Sequence, residues 1–409
     1  MAVVIVVCLS VLAVATLVGM LAPIGAARAD GGAPNLAYVA GAGPHGDELA
    51  IIDVASRKVT GHIGLTGDPV AMLLSFDGRS AYVAERSAGR LAVVNASTKK
   101  VAGTISLGGA PQALALSTLA GVPTLFVTVR GANQVAFVQP GLRKVVARVP
   151  VGTDPAGEAL AAPANGIQTS DINDAELYVA NTASDTVSVI SIVQRKVIAT
   201  IPAPGGPVGV VVPNTSNLAY VSTQTGTLLA LSIPQHTLLG TVLRLPAGHV
   251  AGQMDYNAAT GEVYVPDPAG NAVLVVVPAS SYGDHLQVPA EPERTLALDG
   301  APTAVAITFD GAYAFVAERD RGQVVMLDAA RHQVLSTIAL GGAPVAVVTG
   351  AYPPVVSQQT SGNAGFVVVI VAMLVLAMVY AVIVVLRRRG RRGLAKPASG
   401  SGGDDDKKT

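Results

Sequence analysis

A phrase made of an aromatic residue, then Val, then usually a small residue recurs seven times along this chain at intervals of 42–52 residues. It begins at Tyr38, Tyr82, Phe126, Tyr178, Tyr220, Tyr264 and Phe315. Successive copies are 44, 44, 52, 42, 44 and 51 residues apart. A repeat of about 40–45 residues that carries four strands' worth of alternating sequence is typical of a β-propeller blade. The repeat therefore predicts an all-β, seven-bladed β-propeller of four-stranded blades.

The composition of the chain agrees with this architecture and argues against several other types of β-propeller. Half of the 409 residues are apolar but only 4% are aromatic, so the interior must be built from Val, Ile, Leu and Ala. The absence of Trp argues against WD40-type blades and against quinone-cofactor propellers that dock blades through tryptophan. The single cysteine, Cys8, excludes a disulfide framework and a Cys-x-x-Cys-His haem attachment.

The phase of the repeat predicts how the ring closes. The chain enters the predicted ring at Asn35, on the second strand of a blade. After the last copy of the repeat comes one additional apolar segment, Pro344 to Val348. That segment has the character of an innermost strand without partners of its own. We therefore expect it to complete the first blade, an interlocking closure of the N- and C-terminal ends that removes a free strand edge.

Both ends of the chain carry segments typical of membrane targeting. Residues 1–29 are predicted to be a signal peptide, because the apolar run 3–27 ends in an A-x-A cleavage pattern; an uncleaved anchor is the alternative. Residues 30–349 form the propeller ectodomain and 350–365 a flexible stalk rich in Pro, Gln, Ser and Gly. Residues 366–386 contain no charge and are long enough for a C-terminal transmembrane helix.

The charges after this apolar segment predict its orientation. The tail, 387–409, carries eight Lys/Arg against three Asp, and basic residues flank the cytoplasmic end of a span. The sequence thus predicts a single-pass plasma-membrane protein with the propeller outside and the tail in the cytoplasm. Residues 30–386 carry 18 basic and 24 acidic side chains, so no nucleic-acid partner is expected.

Two kinds of turn are predicted to lie around one mouth of the central channel. These are the turn into the innermost strand and the turn after the second strand. The candidate binding residues there are Asp68, Glu85, Arg86, Asp154, Asn181, His249, Asp267, Glu318 and Arg319. His249 stands where most repeats have Pro. Such groups could bind a cation, a sugar or a peptide, or serve only as turn hydrogen bonds and solvated ion pairs.

The sequence assigns no catalytic residue, metal ligand set or cofactor. The six histidines lack the His-x-His and His-x3–4-His spacings of a zinc site. No nucleophile-elbow, P-loop or dinucleotide motif occurs in a strand-to-helix context. Two insertions, 161–176 and 278–294, lengthen blades 4 and 6 and are the predicted places for partner contacts.

With the repeat in view, the chain resembles the YVTN-type seven-bladed propellers, which include YncE-like and surface-layer-like proteins. The segment Tyr178-Val179-Ala180-Asn181 followed by Val187-Ser188-Val189-Ile190 carries the resemblance, and Asp53 supplies the strand-end Asp. The resemblance implies the propeller fold and an extracytoplasmic binding or adhesion-like role. In the other blades the motif Asn is replaced by Gly41, Glu85, Val129, Thr223, Asp267 and Glu318.

Three functional hypotheses follow. The first is a membrane-anchored module that binds an extracytoplasmic protein or small ligand. The second is a lactonase- or lyase-like enzyme with its site at the channel mouth, which rests on fold analogy alone. The third is an accessory subunit of a membrane complex, held by its helix.

Overall fold

The computed structural model describes residues 36–44, 46–161, 175–213, 216–282, 285–290 and 293–350. The predicted signal peptide, transmembrane helix and tail lie outside these ranges. Most of the insertion 161–176 also lies outside them, and so does the predicted stalk except for Gly350. Within the ranges, no helix is long and apolar enough to cross a membrane. The two helical segments described are single 3₁₀ turns, Pro140–Leu142 and Thr182–Ser184.

The described residues form seven four-stranded antiparallel sheets, one for each predicted blade. Blade 1 begins with β1 (Leu36–Gly43), β2 (Gly46–Asp53) and β3 (Lys58–Gly64). Blade 2 contains β4 (Pro69–Leu74), β5 (Ser80–Glu85), β6 (Arg90–Asn95) and β7 (Lys100–Ser106). Blade 3 contains β8 (Ala110–Leu119), β9 (Val122–Arg130), β10 (Gln134–Gln139) and β11 (Lys144–Pro150). Blade 4 contains β12 (Pro155–Ala161), β13 (Glu176–Asn181), β14 (Thr186–Ser191) and β15 (Lys196–Pro202).

The remaining blades follow the same order from the innermost to the outermost strand. Blade 5 contains β16 (Pro207–Val211), β17 (Leu218–Thr223), β18 (Thr227–Ser232) and β19 (Thr237–Arg244). Blade 6 contains β20 (Asp255–Tyr256), β21 (Val263–Asp267), β22 (Ala272–Val276), the inserted hairpin β23 (Ser280–Tyr282) and β24 (His285–Gln287), and the outer strand β25 (Glu293–Ala297). Blade 7 contains β26 (Pro302–Ile307), β27 (Tyr313–Glu318), β28 (Gln323–Asp328) and β29 (Gln333–Ala339). The last strand, β30 (Ala343–Gly350), returns to blade 1.

The predicted interlocking closure is confirmed. Strand β30 pairs antiparallel with β1, from Leu36 opposite Gly350 to Ala42 opposite Ala343. The sheet order is β3-β2-β1-β30, so the end of the chain supplies the innermost strand of the blade with which the ring begins. The blade is therefore closed by hydrogen bonds between segments about 300 residues apart in the chain, and its inner edge is covered.

The hydrophobic core lies between blades. Seven separate clusters of buried apolar residues are found, and each joins two neighbouring blades. In β1, for example, Tyr38 and Ala40 pack towards blade 2 whereas Val39 packs towards blade 7. Alternate side chains of a strand point to opposite faces, and here both faces are covered by another sheet. This is why the repeated aromatic-Val phrase is buried at every position.

The repeated tyrosines also link adjacent blades through their hydroxyl groups. Tyr264 of blade 6 donates to the carbonyl of Ala329 in blade 7, at 3.2 Å. The Tyr220 hydroxyl of blade 5 accepts from the N–H of Ala279 in blade 6, at 3.0 Å. Burial raises the pKa of both hydroxyls, so they stay neutral donors or acceptors.

Blade 6 departs from the regular pattern at its innermost strand. The ladder with β21 has two residues, Asp255 and Tyr256, besides a backbone bond from the N–H of Gly252 to Pro266. The preceding Gln253 forms a parallel bridge to Ala304 of blade 7. The Asp255 carboxylate accepts from the N–H of Ile307 in blade 7 at 2.8 Å, and burial raises its pKa to about 6. Contacts to blade 7 thus replace part of the missing strand pairing.

The Gly residues before the innermost strands are of two kinds. Gly206 and Gly248 do adopt positive φ, but Gly67 and Gly300 do not. A Cβ at Gly67 would lie 2.6 Å from the Cβ of Ala88, and one at Gly300 would lie 2.5 Å from the Cγ of Arg321. Glycine is required there because the neighbouring turn approaches so closely.

The strand directions define two faces of the ring. The mouth face is where innermost strands begin and second strands end. The chain-end face is the opposite one, where β1 begins at Leu36 and β30 ends at Gly350. Both insertions follow strands that end on the chain-end face, since β12 ends at Ala161 and β22 ends at Val276. The strand ends from which both insertions leave are therefore on the side of the ring opposite the predicted channel-mouth residues.

Candidate functional site

The nine candidate residues lie at the mouth face, but they divide into a buried group and a partly or fully exposed group. Four occupy the last position of a second strand and are at most 4% exposed. These four are Glu85, Asn181, Asp267 and Glu318. A buried polar group must be hydrogen-bonded to offset its lost hydration, so their partners decide what they can do.

Glu85 is bonded entirely within the ring. One carboxylate oxygen accepts from the N–H of Thr66, at 2.9 Å, in the connection from blade 1 to blade 2. The other accepts from the Nε of Arg90, at 2.6 Å. The Arg90 guanidinium also donates to the Thr66 hydroxyl. This network fixes the connection between the blades against the start of β6.

Glu318 and Asp267 have equivalent roles in blades 7 and 6. Glu318 accepts from the N–H of Gly300 at 3.2 Å and from the amide of Gln323. Asp267 accepts from the N–H of Gly270 at 3.1 Å, and its carboxylate contacts the His249 Nδ1 at 2.9 Å. Through this contact the His249 imidazole links the irregular entry of blade 6 to the end of β21.

The fourth buried residue and the more exposed candidates are also engaged with neighbouring turns. The Asn181 amide donates to the hydroxyls of Ser188, at 2.9 Å, and Thr186, at 3.2 Å. Asp154, at a positive φ of 59°, accepts both guanidinium contacts of Arg130. Asp68 has an exposed pairing with Arg86 at 3.7 Å.

Arg86 and Arg319 are the two exposed basic candidates at this face. Among the described residues, the Arg86 side chain contacts Asp68 at 3.7 Å and Gln112 at 3.4 Å. The described contact of Arg319 is a backbone one, from its N–H to the carbonyl of Ala301. Exposed contacts of this kind contribute little to stability, which leaves both guanidinium groups available to a partner.

Substituting Glu85 tests whether this position is structural. We expect Glu85→Ala to lower the free energy of unfolding by about 2–3 kcal/mol, because the N–H of Thr66 and the Arg90 guanidinium lose their buried acceptor. Arg86→Ala, one residue further on and exposed, should change it by no more than about 0.5 kcal/mol. Equal stability of the two variants in urea unfolding would show that the Glu85 network does not support the fold.

A central channel of about 390 Å³ lies inside the ring of innermost strands. Residues from blades 2 to 7 line it, including Met72, Gln112, Gly157, Gly209 and Gln253. The Gln253 amide reaches from blade 6 to the carbonyl of Val70 in blade 2, at 2.9 Å. A side chain therefore bridges two non-adjacent blades at the level of the innermost strands.

Sequence reasoning missed Glu158, which also lines the channel. It lies in β12 and is 8% exposed, and its two carboxylate oxygens are buried without a well-formed hydrogen bond within the described residues. Burial raises the pKa of the Glu158 carboxyl well above its ordinary value, and the backbone N–H groups of Thr128 and Ala115 offset this only in part. The sequence did contain a signal for this site, because Glu158 is a carboxyl side chain within an otherwise apolar innermost strand.

Comparisons with known proteins identify the fold and nothing finer. The chain matches no protein-family model, and no curated protein matches its sequence. Solved structures do match. A functionally unknown protein from Desulfotomaculum acetoxidans has a TM-score of 0.61 at 14% identity, covering 77% of this chain and 99% of that one. Kuenenia stuttgartiensis hydrazine synthase has a TM-score of 0.56 at 17% identity, covering 68% of this chain and 89% of that one.

A third similar structure, U3-55K, has a TM-score of 0.56 at 14% identity and covers 69% of this chain and 85% of that one. At such identities the likeness concerns backbone architecture. The chain is a seven-bladed β-propeller of four-stranded blades.

Proposed function

We propose that this chain is a membrane-anchored, extracytoplasmic propeller that binds a protein partner through its mouth face. In this proposal residues 1–29 direct export, residues 366–386 cross the plasma membrane and the tail 387–409 is cytoplasmic. The apolar segments and the five arginines that follow the second one support it.

The observation that carries the binding proposal is the separation of the two faces. The chain enters at Leu36 and leaves at Gly350, which are paired on the chain-end face. Neither end of the described ring, Leu36 or Gly350, lies at the mouth face, and the turns there are held in place by buried carboxylates such as Glu85 and Glu318. Fixed turns that display exposed Arg86 and Arg319 form a pre-organised surface, which reduces the entropy lost on binding.

The same contacts disfavour the enzyme alternative. A lactonase- or lyase-like site needs a carboxylate or imidazole that is free to exchange protons with a substrate. At this mouth Glu85, Asp267, Glu318 and His249 already bond to the ring itself.

The repeated phrase and the segment from Tyr178 to Asn181 support membership of the YVTN-type propellers, which we include in the proposal.

Site-specific photo-cross-linking in intact membranes tests this function. A photoreactive residue is placed at Arg319 on the mouth face or, as the control, at Ser97 on the chain-end face. We expect a discrete protein adduct from position 319 that is lost when Arg86→Glu is added, and resistance of the chain to extraction at alkaline pH. Protein adducts from position 97 alone would contradict the proposal, as would turnover of a lactone or glycoside that His249→Ala abolishes.

A further inference from the structure

The chain-end face carries a repeated basic turn in four consecutive blades. Each turn joins the third strand of a blade to its outer strand. The basic pairs are Arg57-Lys58, Lys99-Lys100, Arg143-Lys144 and Arg195-Lys196. All eight side chains are exposed, and none forms a salt bridge with a carboxylate of the described residues. Every lysine of residues 30–386 is in one of these turns.

Backbone geometry fixes where these charges point. Arg57, Lys99, Arg143 and Arg195 all adopt positive φ, between 50° and 55°, at the same position of the turn. Lys99 lies over the outer strand of blade 1, donating to the carbonyl of Thr60 at 3.0 Å. The turns are therefore copies of one structure, spaced around the outer part of the face.

Two exposed phenylalanines lie on the same face, nearer its centre. Phe76 follows β4 and is 65% exposed; Phe309 follows β26 and is 82% exposed. Their turns are alike, because Ser75 donates to Asp77 in one and Thr308 donates to Asp310 in the other. They belong to blades 2 and 7, on either side of blade 1, where the chain leaves at Gly350.

The described carboxylates of the chain-end face are mostly engaged by local groups. Asp53 accepts from the N–H of Ser56, Asp328 pairs with Arg331, and Glu176 contacts His236. At the opposite, mouth face the exposed Asp299 carboxylate has no side-chain partner among the described residues, and Asp68 has the exposed 3.7 Å pairing with Arg86. Within the described residues, unpaired positive charge is thus concentrated on the face where the chain leaves.

We propose that the chain-end face docks on the surface of a bilayer that contains anionic lipid headgroups. This inference rests on the membrane anchoring in the proposed function. Basic side chains near an anionic surface attract its phosphates, and exposed aromatic rings enter the interface between headgroups and acyl chains. The predicted span begins 16 residues after Gly350, so a bilayer is within reach of this face.

The experiment uses the full chain reconstituted in phosphatidylcholine vesicles with or without phosphatidylglycerol. A fluorophore is attached through Ser97→Cys on the chain-end face or through Ser87→Cys on the mouth face of the same blade, each in a Cys8→Ser background. Headgroup-labelled nitroxide lipids then quench a fluorophore that lies at the membrane surface. We expect quenching at position 97 only, dependent on phosphatidylglycerol and reduced by salt.

Two variants with the same change in net charge test whether the basic turns cause the quenching at position 97. Each basic residue near an anionic surface contributes about fivefold in partitioning, so Lys99→Glu with Lys100→Glu should lower the docked fraction relative to the undocked one by about 25-fold or more. Arg86→Glu with Arg319→Glu, which changes net charge equally on the mouth face, should leave quenching at position 97 unchanged.

The possible outcomes separate this inference from the anchoring on which it rests. If the chain resists alkaline extraction but position 97 is unquenched, or is quenched without phosphatidylglycerol, anchoring stands and docking is overturned. If the chain is extracted at alkaline pH, the anchoring proposal fails. Docking is then tested by flotation of the full chain with preformed phosphatidylglycerol vesicles: the variant with Lys99→Glu and Lys100→Glu should float less, and the mouth-face variant should float like the parent chain. Occupation of the basic turns by a co-purifying acidic protein or nucleic acid, with no lipid dependence, would also overturn it.

Discussion

A chain that ends at Gly342 is expected to lose its cooperative fold, whereas a chain that ends at Gly350 is expected to keep it. The eight residues between these ends are β30, the innermost strand of blade 1. Without them, β1 has an unpaired edge along the channel, and Val39 and Tyr38 lose the cover of Val347 and Ala346.

The expected effect is large because the strand contributes both hydrogen bonds and buried surface. A fully buried Val contributes about 1.5–3 kcal/mol, and several apolar residues are involved. The loss is therefore on the order of 5 kcal/mol, comparable with the whole stability of a typical domain. Both truncations remove the predicted membrane segment equally, so their difference reports on β30.

Urea unfolding followed by circular dichroism measures this difference, with size-exclusion chromatography as a check on aggregation. The shorter chain should show a broad transition or none, and should associate through its exposed edge. A sharp transition with the same midpoint in both chains would show that closure between the two ends of the chain does not hold the ring together.

Replacing Glu158 by Gln is expected to stabilise the protein at neutral pH. The folded ring holds this carboxyl in a buried place where its pKa is raised, so ionising it costs free energy that the unfolded chain does not pay. Glutamine has nearly the same shape as the neutral acid and carries no charge. We expect Glu158→Gln to raise the free energy of unfolding at pH 7.5, because the neutral amide removes the cost of ionising a carboxyl inside the ring.

The pH dependence has a defined sign. Because the folded pKa is above the unfolded one, the folded state binds the proton more tightly between these two values. The contribution of Glu158 to stability is therefore greatest below its ordinary pKa of 4.5, and it falls as the pH rises through the raised folded pKa. Glu158→Gln should lack this fall, and the two proteins should differ least at acid pH.

Unfolding midpoints measured across this pH range test the prediction, with Asp299→Asn as the control. Asp299 is an exposed carboxylate on the mouth face, so its substitution should leave both the stability and its pH dependence close to those of the parent chain. A Glu158→Gln variant that is less stable at every pH would indicate that the carboxylate is ionised and held by contacts that the amide cannot make.

The number of blades and the closure were predictable because both depend on local periodicity. The spacing of Tyr38, Tyr82 and Phe126 counts blades, and the solitary apolar segment at Pro344 to Val348 has the pattern of an innermost strand. The two faces were also predictable in part, since antiparallel strands return every second turn to the same side. The turns that carry Asp68, Glu85 and Arg86 follow this rule and lie at one face of the ring.

The roles of the candidate residues could not be predicted, because they depend on depth and on neighbours. Sequence gives Glu85 and Arg86 the same polar character, yet Glu85 is buried against Thr66 and Arg90 whereas Arg86 is exposed. Glu158 was overlooked because the alternation of residues along a strand does not show whether a polar side chain has hydrogen-bond partners once it is buried. Burial and pairing are set by residues of other turns and blades, such as Thr66 and Arg90 at Glu85.

By itself, the sequence determined a closed ring of seven blades and the residues available at its turns, because strand periodicity and turn chemistry act over a few neighbouring positions. Only the tertiary structure decided that the mouth carboxylates fasten the blades and that the basic turns share a face with Phe76, Phe309 and the chain ends. The physical reason is that ring closure brings distant segments together. Their contacts then determine which charges are neutralised inside the ring and which are left for a partner.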